Sequence, residues 1–113
     1  MPKRTTRDWG HWRVLEDYPP GVKVKELVVN PQKQLSMQKH HQRSELWFVA
    51  AGRGVLKRKN SPSITLTQNQ MVTIPVGEWH QLENTSSVPL HIVEIQWGDK
   101  CTEDDIIRDD DAV

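Results

Sequence analysis

Cysteine is nearly missing from this chain: of 113 residues one is cysteine, Cys101. A lone thiol closes no intrachain disulfide, and a reducing compartment is the expectation. Net charge is missing too, because 15 Lys and Arg balance 15 Asp and Glu. A nucleic-acid binder needs a basic excess, so that class is set aside. The short cluster Lys57-Arg58-Lys59 lies by a turn and reads as a solvated hairpin tip. Long apolar runs are absent, and none approaches the length of a membrane span. Met1 to Arg7 offers no apolar segment behind its basic residues, which argues against a secretory signal. A cytoplasmic protein with no membrane or nucleic-acid partner is expected. Hydrophobic residues are scarce at 35%, against 27% charged. The length fits one domain, with a core that is thin or shared across a homodimer interface.

What is present is a series of short β-type runs separated by Gly, Pro and Asn turns, the pattern of an all-β sandwich or barrel. The expected strands are Lys23–Val29, Leu35–His40, Glu45–Ala51, Val55–Arg58, Ser63–Leu66, Met71–Ile74, His80–Glu83 and Leu90–Trp97. Turn signals lie between them at Asn30-Pro31, Gly52-Arg-Gly54, Asn60-Ser-Pro62 and Pro75-Val-Gly77. This divides the chain into an N-terminal arm (1–22), a β-barrel (23–98) and an acidic C-terminal tail (99–113). The arm carries Trp9, Trp12 and Pro19-Pro20, and its aromatics are expected to dock on the barrel or on a partner subunit. The tail is expected to form a short helix capped by Thr102, with acids in its first turn. Neither a repeat nor a low-complexity linker interrupts the chain.

Two clusters carry the chemistry. Gln38 and His40 are two apart, so on a strand they leave the same face. Glu45 opens the next run, and His80 follows the Pro75-Val-Gly77 turn. Two imidazoles, a carboxylate and an amide oxygen make a mixed N/O set suited to a divalent metal. His41 points away from His40 on a regular strand, and His11 and His91 read as surface or packing residues.

These clusters resemble the two motifs of the cupin superfamily. Pro75, Gly77, His80 and Asn84 match the second motif, with Asn69 standing where its leading glycine belongs. His40, Glu45 and Gly52 match the first, with Gln38 in place of its first histidine. Pro75, Gly77 and Asn84 read as structural. Over nearly the whole chain the sequence is similar to the C-terminal cupin domain of type II mannose-6-phosphate isomerases. The matching stretches include Arg7-x-Trp9-Gly10, Val24-Lys25, Gln38-x-His40-x-x-Arg43-x-Glu45-x-Trp47, Glu94-x-Gln96-x-Gly98 and Glu103-Asp104-Asp105-Ile106-x-Arg108. The resemblance implies a jelly-roll barrel and a metal, usually zinc, held by Gln38, His40, Glu45 and His80. Manganese, iron and nickel stay open. Two histidines common around Arg43 in that family are replaced here by Gln42 and Leu46, and the family's Tyr-Gly element does not follow Arg108 within these 113 residues, which hold no guanylyltransferase half.

The implied reaction is the interconversion of mannose 6-phosphate and fructose 6-phosphate, in mannose and polysaccharide precursor metabolism. It needs a metal against two sugar oxygens, a base for the carbon-bound proton and a cation for the phosphate. Lys25 is a candidate base or phosphate contact, and Arg43 a candidate phosphate clamp. Glu94 is a second acid/base candidate, and Arg108 a residue that closes over the mouth. Two other readings stand beside this one: a non-catalytic metal- or sugar-binding cupin, and another cupin enzyme such as an iron-dependent dioxygenase. Gln38 in a histidine position leans against the last, since redox metals usually keep more imidazoles.

Overall fold

The inward-facing residues of three neighbouring strands explain how this chain reconciles a thin core with a polar site. The computed structural model describes residues 3–18 and 20–109. Among them the chain forms eleven strands and no helix. These are β1 (Thr5–Arg7), β2 (Gly10–Tyr18), β3 (Val22–Val29), β4 (Gln38–Lys39), β5 (Arg43–Ala51), β6 (Gly54–Arg58), β7 (Ile64–Leu66), β8 (Met71–Ile74), β9 (His80–Glu83), β10 (Leu90–Gly98) and β11 (Ile107–Arg108). A six-stranded sheet has the order β1-β2-β3-β10-β5-β8, and a five-stranded sheet the order β11-β4-β9-β6-β7. The two sheets enclose one core.

Strand alternation sets which side chains meet inside. On β10, Leu90, Ile92, Glu94 and Gln96 are buried, with half-buried residues between them. Register places Ile92 between Leu27 on β3 and Val49 on β5, and Glu94 between Lys25 and Trp47. The next inward row is Lys23, Gln96 and Glu45. One end of the interior is therefore apolar: Val29, Val49, Leu56, Leu66, Leu82, Leu90 and Ile92 pack there, all at most 1% exposed. The other end is polar. Deep burial of these aliphatic side chains is worth about 1.5–3 kcal/mol each.

The expected arm docks on the barrel as strands: β1 and β2 extend the large sheet, and Trp9 and Trp12 pack against the core. β2 pairs with β3 from Gly10↔Val29 to Tyr18↔Val22, with a bulge between Val14 and Glu16. The free edge of β3 offers a ladder, and the β-branched and aromatic residues of β2 suit it. Pro19, part of the expected arm, lies outside the described residues. The expected tail helix is replaced by a turn followed by β11, which pairs with β4 through Ile107↔Lys39 and Arg108↔Gln38. The reason is local competition. The Asp105 carboxylate, read as a first-turn helix acid, instead accepts from the backbone N–H groups of His41 and Gln42, each at 2.9 Å. The β-branched pair Ile106-Ile107 then continues extended. Residues 110–113 of the expected tail lie outside the described ones.

The turn chemistry is legible in single residues. Asn69, in the place of the motif's glycine, has φ of 71°, a left-handed conformation that Asn tolerates better than most side chains. Asn84 is fully buried, donates to the carbonyls of Val29 (2.9 Å) and Val88 (2.8 Å), and accepts from the Ser86 N–H and hydroxyl. Its role is structural.

Candidate metal centre

The polar end of the interior gathers His40, Glu45 and His80 from three different elements. Each offers one ligand atom, and these atoms lie within 4.8 Å of one another. All three residues are buried. Glu45 comes from β5, the start of β9 supplies His80, and His40 follows β4 directly. Gln38 on β4 pairs with His80 across the ladder and lines the same cavity. Its amide N–H groups donate to the Ser36 carbonyl and hydroxyl, both at 3.3 Å, which leaves its carbonyl oxygen as the ligand end.

Each histidine is anchored by its Nδ1. That of His40 is 2.5 Å from the Asp105 carbonyl, and that of His80 is 2.9 Å from the Glu78 carbonyl. A carbonyl only accepts, so both rings are Nδ1–H tautomers with the Nε2 lone pair turned to the site. The Nε2 atoms stand 3.2 Å (His40) and 3.9 Å (His80) from the two Glu45 oxygens. Acceptors gathered face to face repel unless positive charge joins them, and on the His40 side the Arg43 guanidinium does so, 3.3 Å from Nε2 and 2.9 Å from Glu45 Oε2. Burial pushes the His40 pKa down to about 4, with the Arg43 guanidinium adding to the shift. Burial lowers that of His80 as well. The imidazoles are thus neutral near pH 7, as ligation requires. This donor set fits a divalent cation.

Glu45 is itself held. Its Oε2 accepts from Arg43 Nε at 2.9 Å and its Oε1 from the Trp47 indole N–H at 3.0 Å. The Trp47 ring stands edge-on to His80, with centroids 5.7 Å apart. Arg43 also donates to the Thr102 carbonyl (2.9 Å) and lies 3.3 Å from His40 Nε2. The expected phosphate clamp therefore spends its guanidinium on protein partners.

The cluster opens into a cavity of about 550 Å³. Lys25, Arg43, Glu94 and Arg108 all line it, together with Gln38, Glu45 and His80. Lys25 is buried, pairs with Glu103 at 3.0 Å and sits 4.1 Å over the Trp12 ring. Glu94 is buried, and its pKa is pushed up to about 8, first by burial and then by the neighbouring Glu45 carboxylate. Arg108 is exposed at the mouth. Sequence reasoning missed Asp105 and Glu103, whose partners lie more than 60 residues away in the chain and leave no local signal. It also left Trp9 and Trp12 outside the site, whereas both line the cavity.

A two-sheet β-barrel with a His-Glu-His cluster inside one end is a cupin. The chain belongs to the family described as mannose-6-phosphate isomerase, C-terminal, whose model matches residues 1–111. It is 42% identical over 102 residues to a mannose-1-phosphate guanylyltransferase of Klebsiella pneumoniae, covering 90% of this chain and 21% of that protein. To the xanthan biosynthesis protein XanB of Xanthomonas campestris it is 37% identical over 110 residues, 97% of this chain and 23% of the relative. The chain thus spans under a quarter of the length of these relatives. Among solved structures, the capsular polysaccharide assembling protein CapF of Staphylococcus aureus superposes with a TM-score of 0.80 at 20% identity, over 96% of this chain and 32% of that one. A Klebsiella pneumoniae protein with a double-stranded β-helix domain matches at 0.74 and 15%, over 95% and 83%. These two likenesses concern the fold alone. No helix among the described residues is long and apolar enough to cross a membrane.

Proposed function

We propose that this chain is a metal-dependent sugar-phosphate isomerase acting on mannose 6-phosphate and fructose 6-phosphate. The observation that carries the reading is that Glu45 and His80 of the His40–Glu45–His80 cluster line one cavity with Lys25 and Glu94, which lie on adjacent strands. His40, Glu45, His80 and Gln38 would hold the metal. When bound, a divalent ion supplies Lewis acidity toward two neighbouring sugar oxygens.

The rest falls to the chain's own side chains. Isomerisation moves a proton from C2 to C1 as the carbonyl passes from C1 to C2. Glu94 takes and returns the carbon-bound proton, and the Lys25 ammonium donates a hydrogen bond to the oxygen where charge develops. Trp9 and Trp12 wall the cavity and limit water. Arg108 at the mouth meets the phosphate, whose binding energy acts at a distance from the reacting carbons. Arg43 keeps Glu45 oriented.

The test is a metal analysis of the purified chain, then an assay of mannose 6-phosphate to fructose 6-phosphate with and without chelator. Turnover that chelator abolishes, and that His80→Ala lacks, supports the proposal. Tight metal without turnover on any hexose phosphate sinks it in favour of a non-catalytic metal- or sugar-binding domain. The closed pairs Lys25–Glu103 and Arg43–Glu45 favour that second reading. Iron with oxygen uptake would instead indicate a dioxygenase.

A further inference from the structure

The C-terminal tail contacts the first-motif segment at several points and Lys25 on β3 at another. The Thr102 carbonyl accepts from Arg43, Glu103 pairs with Lys25, β11 pairs with Gln38 and Lys39, and the Asp109 N–H donates to the Met37 carbonyl at 2.8 Å. Asp105 is the centre of this clasp. It is buried although it lies in a turn of an otherwise exposed acidic segment. Its two carboxylate oxygens each take one backbone N–H, those of His41 and Gln42, at 2.9 Å. Its own carbonyl takes Nδ1–H of His40.

The bend at His41 and Gln42 lies between β4 and β5 and has no ladder partner there. Without Asp105 two N–H groups lose their acceptors, and the carbonyl that fixes the His40 ring loses its anchor. We propose that Asp105 is the positioning residue of this metal centre. From the tail it fixes the backbone after His40 and the tautomer of its ring, so that Nε2 presents a lone pair to the site. The inference rests on the metal-site reading and is independent of whether the chain isomerises sugars.

The physical reason for a tail residue in this role is reach. His40 sits where β4 ends, so the ladder does not hold its ring. A carboxylate fork on consecutive N–H groups is a charge-assisted, two-point contact. Partners that hold the far nitrogen of a metal-ligating histidine typically change metal affinity about 10–100-fold when lost.

The experiment compares the full chain with Asp105→Ala and Asp105→Asn. In metal-free protein, long-range proton–nitrogen NMR correlations of the His40 ring report its tautomer. The intact chain is expected to show the Nδ1–H form alone, and Asp105→Ala a mixture. Zinc affinity, measured by competition with a chromophoric chelator, should fall about 10–100-fold in Asp105→Ala. Asp105→Asn keeps one acceptor oxygen and should lie between. Ile92→Ala is the control for plain destabilisation and should move neither readout. A folded Asp105→Ala with unchanged tautomer and zinc affinity overturns the proposal. If that variant fails to fold, the same two readings on Asp105→Asn decide, and parity with the intact chain overturns it equally. The tautomer is read without metal, so a chain that binds zinc but turns over no sugar leaves this test intact.

Discussion

The two ends of the barrel interior are built on the same strands and obey opposite rules. Along β10 the inward residues run Leu90, Ile92, Glu94, Gln96; along β3 they run Val29, Leu27, Lys25, Lys23. β5, read toward its start, runs Val49, Trp47, Glu45, Arg43. All three cross from apolar to polar within one or two rows. The apolar end gains stability from area removed from water and specifies little else. At the polar end every buried group needs a partner, and that need fixes geometry. Trp47 bridges the two, with its ring in the core and its N–H on Glu45. The lesson is that a thin core is tolerated here because the rest of the interior is a bonded network. Among the described residues Gln96 departs from this rule, buried with neither side-chain polar atom bonded to the protein.

The sharpest way to break the contrast is to remove one group from each end. Glu45→Ala leaves the Arg43 charge buried without its partner and the Trp47 N–H without an acceptor. Breaking a buried pair in this way costs about 3–5 kcal/mol, and metal binding should vanish with it. Ile92→Ala opens a cavity at the apolar end, which costs about 2–5 kcal/mol, while the metal content stays at the value of the intact chain. Urea titration of metal-stripped protein gives the first quantity and metal analysis the second. Loss of metal in Ile92→Ala would mean that the ends are not separable.

The polar end also titrates, and its two kinds of group act in opposite directions. Glu94 has its pKa raised from 4.5 to about 8. Its contribution is complete below the unfolded value and is lost as pH rises through the folded one, by at most about 1.4 kcal/mol per pH unit. The histidines are depressed, His40 from 6.5 to about 4. The His40 contribution is complete above pH 6.5 and is lost as pH falls toward about 4, and burial of His80 acts in the same direction. Metal-free protein should therefore weaken on both sides of mildly acidic pH. Glu94→Gln should remove the alkaline limb between pH 4.5 and about 8 and leave the acid limb. Thermal denaturation across pH checks this, and an alkaline limb that survives in Glu94→Gln contradicts the assignment.

Much of this was legible in the residues. The strands from Lys23 onward are found within a few positions of their expected ends, because alternation and Gly/Pro punctuation are local signals. The segment Leu35–His40 is the exception: only Gln38–Lys39 is strand, and Gln34 makes an isolated bridge to Glu83. His40, Glu45 and His80 meet; inward alternation fixes the direction of Glu45 and His80, whereas His40, just past β4, is held by the Asp105 carbonyl. What was not legible depends on distant partners. Arg43 looked free for a phosphate, but its partners Glu45 and Thr102 take its donors. The tail reads as a capped helix until His41 and Gln42 compete for Asp105. β2 reads as an arm because its ladder partner is β3, and polar residues such as Arg13 and Glu26 pair across that ladder at 3.0 Å.

Two turn glycines carry the contrast to its smallest scale. Gly52, beside the apolar end, has φ of 86°, and a Cβ there would sit 2.5 Å from the Pro89 carbonyl oxygen. Backbone cannot yield as a flexible side chain does, so Gly52→Ala adds a clash to the cost of a left-handed residue. Gly77, beside the polar end, has φ of 80° but nothing within 4 Å of that Cβ. Gly77→Ala should cost only the left-handed penalty, about 1–2 kcal/mol, visible as a small shift in the urea midpoint. The Gly77 N–H donates to the His40 carbonyl at 2.8 Å, so the turn is tied to a residue of the candidate metal centre. Open space around the new methyl lets that bond survive, and zinc affinity should stay within about twofold of the intact chain, a difference of ~0.4 kcal/mol. A larger fall in affinity than in stability would mean that the turn holds His40 under tension, and that the polar end is tuned by its loops as well as by its network.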